Sequence, residues 1–136
     1  MAETLRLEIV TPDGRAFSED VEMVTLTAAD GEMGILPQHV RLMTQMLPGE
    51  LVVRRDGRET FLAVGGGLVE VTGRRVSILT DMAVAAESID EAKAEEARRR
   101  AEAHLREKLA DEEVASTNAA LARSLAQLRV KRRRRG

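Results

Sequence analysis

Cysteine, tryptophan and tyrosine are missing from the 136 residues, and Phe17 and Phe61 are the only aromatic side chains. Without cysteine there is no disulfide framework, no thiolate nucleophile and no cysteine-held metal, and the redox compartment goes unmarked. Two phenylalanines make a poor platform for stacking nucleic-acid bases. No stretch approaches the roughly 20 apolar residues of a membrane span, and the amino terminus lacks the apolar core of a secretion signal. A soluble cytoplasmic protein is the expectation.

Glycine and proline are unevenly absent. Twelve of the thirteen lie from Pro12 to Gly73, and none falls from Arg74 to Arg135. Those residues punctuate short strands with turns, whereas a stretch without them, rich in Ala, Glu, Arg and Leu, propagates a helix. The shift near Glu87 predicts a β domain over residues 1–87 and a helical region over 88–136. The first is long enough for a small core of its own, and the second must lean on something.

The net charge of −2 conceals an asymmetry: residues 1–87 hold 14 acids and 8 bases, residues 88–136 hold 9 acids and 13 bases. From Val114 onward there are seven Arg or Lys and no acid, ending in Lys131, Arg132, Arg133, Arg134 and Arg135. Such a segment suits an anionic partner.

Period-two alternation recurs in the first part. Leu5, Leu7 and Ile9 share one face opposite Arg6 and Glu8, the pattern of a half-buried strand. A turn is expected at Pro12-Asp13-Gly14, and strand-like runs follow at 21–27, 51–54, 59–64, 68–71 and 75–80. Asp56-Gly57 between two of them is a hairpin signal. Many short strands close together predict an all-β sandwich or barrel.

The second part changes period. Ser88-Ile89-Asp90-Glu91 has the capping-box form, with Ser88 as the expected cap. Ala94, Ala97, Ala101, Leu105 and Leu109 then recur at helical spacing, and a second stripe runs through Val114, Leu121, Leu125 and Leu128. Asp111-Glu112-Glu113 contains no breaker, so both a helical hairpin and one long helix are open. Alanine methyls add little on burial, so the helices are expected to dock weakly.

Catalytic constellations are lacking in the sequence. His39 and His104 stand apart with no metal-binding spacing, and each reads as a surface or contact residue. Gly65-Gly66-Gly67 precedes Leu68-Val69-Glu70, which completes neither a phosphate loop nor a dinucleotide loop, so it reads as a bend or close backbone contact. No enzyme, cofactor or metal site is expected.

The most distinctive string is Gly31-Glu32-Met33-Gly34-Ile35-Leu36-Pro37-Gln38-His39-Val40-Arg41-Leu42. It resembles the signature of the epsilon subunit of bacterial F-type ATP synthases. The likeness continues through Leu47-Pro48-Gly49, the glycine stretch at 64–71, Ile89-Asp90-Glu91-Ala92 and Ala126-Gln127-Leu128-Arg129-Val130, so it covers nearly the whole chain.

The resemblance implies an α+β protein: an antiparallel β-sandwich of about ten strands, then two helices as a hairpin or an extended segment. It implies a noncatalytic subunit of the proton-translocating central stalk, with the gamma subunit, the c-subunit ring and the alpha/beta catalytic subunits as partners. The helices would extend into the catalytic head and restrain hydrolysis. Membrane association at the cytoplasmic face of the inner (plasma) membrane would be peripheral, through the complex. Gly31, Glu32, Gly34, Pro37 and His39 become candidates for the c-ring and gamma interface, Glu32 and His39 lying in its loop region. Arg123, Arg129, Lys131, Arg132 and Arg133 become candidate contacts to acidic loops of the catalytic head, where the guanidinium fork suits carboxylates.

Some relatives bind ATP between the helices as a regulatory ligand. Here Ile89, Asp90, Arg100 and Arg123 stand at or near the motif positions, but Lys93 replaces an arginine and Gln127 stands where another is expected, and neither reproduces the fork. Two other classes remain for the basic tail: nonspecific nucleic-acid binding, and tethering of a β domain to anionic lipid at about 1 kcal/mol per basic residue.

Overall fold

The alternation of the first strand is realised as expected: in β1 (Leu5–Thr11), Leu5, Leu7 and Ile9 are buried while Arg6 and Glu8 stay half-exposed. The computed structural model describes residues 3–107 and 111–135, with side chains for 112–133 in the last stretch. Leu109, Arg134 and Arg135, expected in the apolar stripe and the basic tail, thus lie outside the described side chains.

Among the described residues nine further strands follow: β2 (Gly14–Val21), β3 (Met23–Ala28), β4 (Gly31–Ile35), β5 (Leu42–Met46), β6 (Gly49–Arg55), β7 (Arg58–Val64), β8 (Gly67–Thr72), β9 (Arg75–Thr80) and β10 (Ala83–Ala85). They pair in the order β10-β7-β6-β3-β5-β8-β9-β1-β2, with β4 on β3. Pairing is antiparallel except between β1 and β9, which run parallel. The last strand returns to the third: Arg55 at the end of β6 grips Glu19 on β2 at 2.6 Å, so the sheet curls into a sandwich. Leu7, Ile9, Val24, Leu26, Ile35, Met46, Leu51, Val53, Val69 and Ile78 fill the interior with essentially no exposure. Packing both inner faces into one core is what stabilises such a domain.

The turns follow their chemistry. Asp56 (φ 53°) and Gly57 (φ 74°) make the two-residue hairpin that the sequence predicts, with Arg55 opposite Arg58. At Pro12-Asp13 the Thr11 hydroxyl accepts from the Asp13 amide at 3.2 Å, and a bulge at Ala16 shifts the register beyond Ile9. Four strands escape the sequence reading. β2 buries only Val21 and sits at an edge, β4 carries two glycines, β5 is mostly half-exposed, and β10 has three residues. Residues 21–27, expected as one strand, break at Glu22 between β2 and β3.

The glycine triplet is a close contact, as its composition suggested. A Cβ on Gly67 would stand 2.0 Å from the Leu79 carbonyl oxygen on β9. Only hydrogen fits there.

After a short 3-10 turn at Ala86–Ser88 come α1 (Glu91–Leu105) and α2 (Asp111–Arg135), packed on each other as a hairpin. The expected cap is corrected. Ser88 lies in the 3-10 turn, and Asp90 takes the cap, its carboxylate accepting from the Lys93 amide at 3.1 Å. Ala94 and Ala101 are buried as the first stripe requires. The second stripe is also corrected: Leu125 is 40% exposed, and the buried positions of α2 are Thr117, Ser124, Ala126, Leu128 and Val130. α2 serves two neighbours, α1 and the outer face of β6 and β7, so its buried residues do not form one stripe. Phe61 and Ala63 on that outer face join Ala86, Ile89 and Val130 in a second, smaller core.

Candidate functional site

Two surfaces stand out, and different elements build them. The first is on the sheet. Leu68, Leu79 and Val10 are direct cross-strand neighbours on β8, β9 and β1, and all three point outward, Leu79 at 55% exposure. Their sequence neighbours Val69, Ile78 and Ile9 are buried, so the row belongs to the opposite face. On β5 the direct neighbour of Leu68 is the polar Gln45, and Met43, opposite Glu70, lies diagonal to Leu68 on the same face at 61% exposure. Leu36 and Val40, beyond β4, add apolar exposure, Val40 reaching 73%. Contiguous exposed apolar side chains mark a surface made for a partner.

The distinctive string borders this surface. Gly31, Glu32 and Gly34 are not in a loop, as expected for Glu32, but on β4, where Glu32 stands opposite Thr27 and Gly34 opposite Thr25. The alternation is hard to see in the sequence because Gly supplies no side chain at two of the five positions. Pro37 and His39 do follow in the connection to β5. There the His39 amide donates to the Leu36 carbonyl at 3.1 Å, and its Nδ1 lies 2.8 Å from the Val40 carbonyl oxygen.

The second surface is the cationic side of α2, and in this conformation it faces inward. Arg123 donates to Asp81 at 3.0 Å. Gln127 reaches the Met82 sulfur at 2.9 Å, and Lys131 donates to the Ala86 carbonyl at 3.4 Å. Arg132 spans Glu91 and Glu95 of α1, both at 2.9 Å, and Arg133 grips Glu50 of β6. Arg129 is exposed and forms no ion pair among the described residues. The hydrogen bonds that Arg132 donates to Glu91, then to Glu95, raise its guanidinium above its ordinary pKa. Glu95 is held below the ordinary carboxylate value first by a hydrogen bond from Arg98, with Arg132 adding to it. The charged forms on both sides are thereby favoured.

The residues considered for nucleotide do not converge. Ile89 is buried in the second core and Asp90 caps α1. Lys93 is exposed. Arg100 borders a groove of about 470 Å³ between the helices, beside His104 and Thr117, whereas Arg123 is held at the sandwich by Asp81.

Sequence reasoning missed Glu50, Asp81 and Val130, the groups that receive or anchor α2. One signal was present. Phe61-Leu62-Ala63-Val64 breaks the alternation of β7 with a continuous apolar run, the mark of a strand covered on both faces. It locates the seat of α2.

Residues 4–86 match the family described as ATP synthase, Delta/Epsilon chain, beta-sandwich domain, and residues 87–132 the one described as ATP synthase, Delta/Epsilon chain, long alpha-helix domain. Among solved structures, a chain of the Euglena gracilis mitochondrial ATP synthase, from an assembly of OSCP, F1 and c-ring in rotational state 1, is 28% identical with a TM-score of 0.72. That alignment covers 88% of this chain and 76% of the other. A chain from the central stalk and c-ring of the Tetrahymena thermophila mitochondrial ATP synthase shares the fold at 15% identity, with a TM-score of 0.64 over 99% of this chain and 98% of its own. With its sandwich and its helical pair both matched in order, the chain belongs to the delta/epsilon family of ATP synthase.

Proposed function

We propose that this protein is the epsilon subunit of a bacterial-type, proton-translocating F-type ATP synthase: a noncatalytic part of the central stalk that couples the catalytic head to the c-ring and restrains ATP hydrolysis through its helices. The observation that carries this reading is the division of surfaces, an outward apolar row on the sheet and a basic helix whose arginines pair with internal carboxylates around a small apolar seat. The row of Leu68, Leu79, Val10 and Met43 suits the gamma subunit. The string with Gly31, Glu32, Gly34, Pro37 and His39 suits the c-ring. A sandwich with a close-packed core transmits torque without yielding.

Restraint of hydrolysis draws on α2. Exposed ion pairs contribute about 0–1 kcal/mol each, so Arg123 and Arg132 can exchange their internal carboxylates, and Arg133 its half-satisfied Glu50, for acidic loops on the alpha and beta subunits, with Arg129 and Lys131 beside them. Moving the population from 1:99 to 99:1 takes about 5.5 kcal/mol of differential affinity, more than exchanged ion pairs supply, so the head must add contacts that the docked helix lacks. ATP as a regulatory ligand would have to release Arg123 from Asp81. Among the described residues no helix is long and apolar enough to cross a membrane. Association at the cytoplasmic face of the inner (plasma) membrane then comes through the complex.

The test uses a catalytic head lacking its own epsilon subunit and assays hydrolysis with the full chain or a version ending at Glu87. Binding by both and slowing by the full chain alone is the expected result. Equal rates would leave a stalk-assembly subunit, and no binding by either would end the reading.

A further inference from the structure

The β3–β4 hairpin and the basic end of α2 meet, although the proposed function assigns them to different partners. Thr25, Thr27 and Glu32 of the hairpin, Glu50 of β6, and Arg129 and Arg133 of α2 line one cleft of about 250 Å³. The Glu50 side chain is only 11% exposed. One of its oxygens is held by Arg133, and the other is buried with no hydrogen-bond partner. A buried carboxylate with one oxygen unsatisfied is a weak fastening, because its desolvation offsets much of the attraction. The docked tail is therefore sensitive to any further charge facing the cleft.

Two such charges exist. Arg129 of α2 and Glu32 of β4 are both exposed, line the same cleft, and form no direct ion pair with each other. Opposite charges that face one cleft attract each other through solvent, with a screening length of about 8 Å at physiological salt.

We propose that this cleft couples the β3–β4 hairpin to the helical tail: Glu32 holds α2 docked by attracting Arg129, and a partner that neutralises or covers Glu32 favours release of α2. The coupling is reciprocal, so release of α2 leaves Glu32 and Glu50 more available to a cationic or hydrogen-bonding partner. The identity of that partner rests on the proposed function. The internal coupling does not.

The experiment is amide hydrogen exchange on the isolated full chain, which reads rare undocking directly. Glu32→Gln is expected to speed exchange in the last three turns of α2 about threefold at low salt, the scale of one partly screened pair. Amides of β1 and β9 should be unaffected, which separates undocking from unfolding. Arg129→Gln is expected to do the same, and the double variant to exchange no faster than either single one. Unchanged α2 exchange in Glu32→Gln, or an equal effect of Glu32→Gln with and without Arg129, overturns the coupling. Because no ATP synthase component is present, such a failure is distinct from a failure of the hydrolysis assay.

Discussion

Gly65 and Gly67 sit two residues apart and carry opposite consequences. An alanine methyl at position 67 would meet the Leu79 carbonyl at 2.0 Å, within the β8–β9 ladder where Gly67 pairs with Thr80. The backbone of β9 cannot retreat without losing pairing, so Gly67→Ala is expected to cost about 1–3 kcal/mol and to lower the thermal midpoint of the full chain. At position 65 the methyl would meet the Asp81 carboxylate, 1.8 Å from Oδ1, the mobile end of a side chain. Asp81 can turn away, but it then lets go of Arg123. Gly65→Ala is accordingly expected to leave the sandwich core protected while α2 exchanges faster, as read by amide hydrogen exchange. The triplet announced close contact in the sequence. Which neighbour each glycine admits was hidden, because Leu79 and Asp81 arrive from the next strand and its exit.

At the scale of elements, each helix is defined by something local and placed by something distant. α1 begins where an acceptor side chain precedes a helical run, and that acceptor is Asp90 rather than the expected Ser88. Asp90 holds the Lys93 amide, so Asp90→Ala is expected to cost about 1 kcal/mol and Ser88→Ala far less, compared by thermal unfolding. The α1–α2 clasp through Glu95 and Arg132 has a definite pH sign. Glu95 titrates below its ordinary 4.5, first because Arg98 hydrogen-bonds it and further because Arg132 does. Its stabilisation is complete above that value and is lost as pH falls through the depressed one. Acid titration followed by exchange at Ala94 and Ala101 should show the helices loosening only below pH 4.5, and Arg132→Gln should flatten that dependence. The apolar stripe expected on α2 is buried at Leu128 alone of its four residues, because periodicity assumes one buried face. A helix wedged between α1 and a sheet buries two, and small residues such as Ser124 and Ala126 suffice where backbones approach closely.

For the whole molecule, two cores of unequal size imply two levels of stability. The sandwich interior is self-contained, whereas the seat of α2 rests on Val130, Ile89, Ala63, Ala86 and their flanking apolar groups. Val130→Asp places an unpaired charge against that seat and is expected to detach the helices without unfolding the sandwich. Limited proteolysis should then leave a resistant fragment ending near residue 87, which the parent chain yields much more slowly. Alternation in β1 and β9, the Asp56-Gly57 turn, the lack of Gly and Pro from Arg74 to Arg135 and the basic terminus were legible in the chain, because each depends on residues near one another in sequence. The sequence by itself determined a β part followed by helices, and through its ordered motifs the family. Only the tertiary structure decided that the helices fold back as a hairpin, that β4 carries Glu32, and that Glu50, Asp81, Glu91 and Glu95 engage the tail's arginines. Those pairings join residues up to 83 positions apart, as Arg133 and Glu50 are, and no local pattern of charge or hydrophobicity encodes which distant carboxylate a surface arginine will meet.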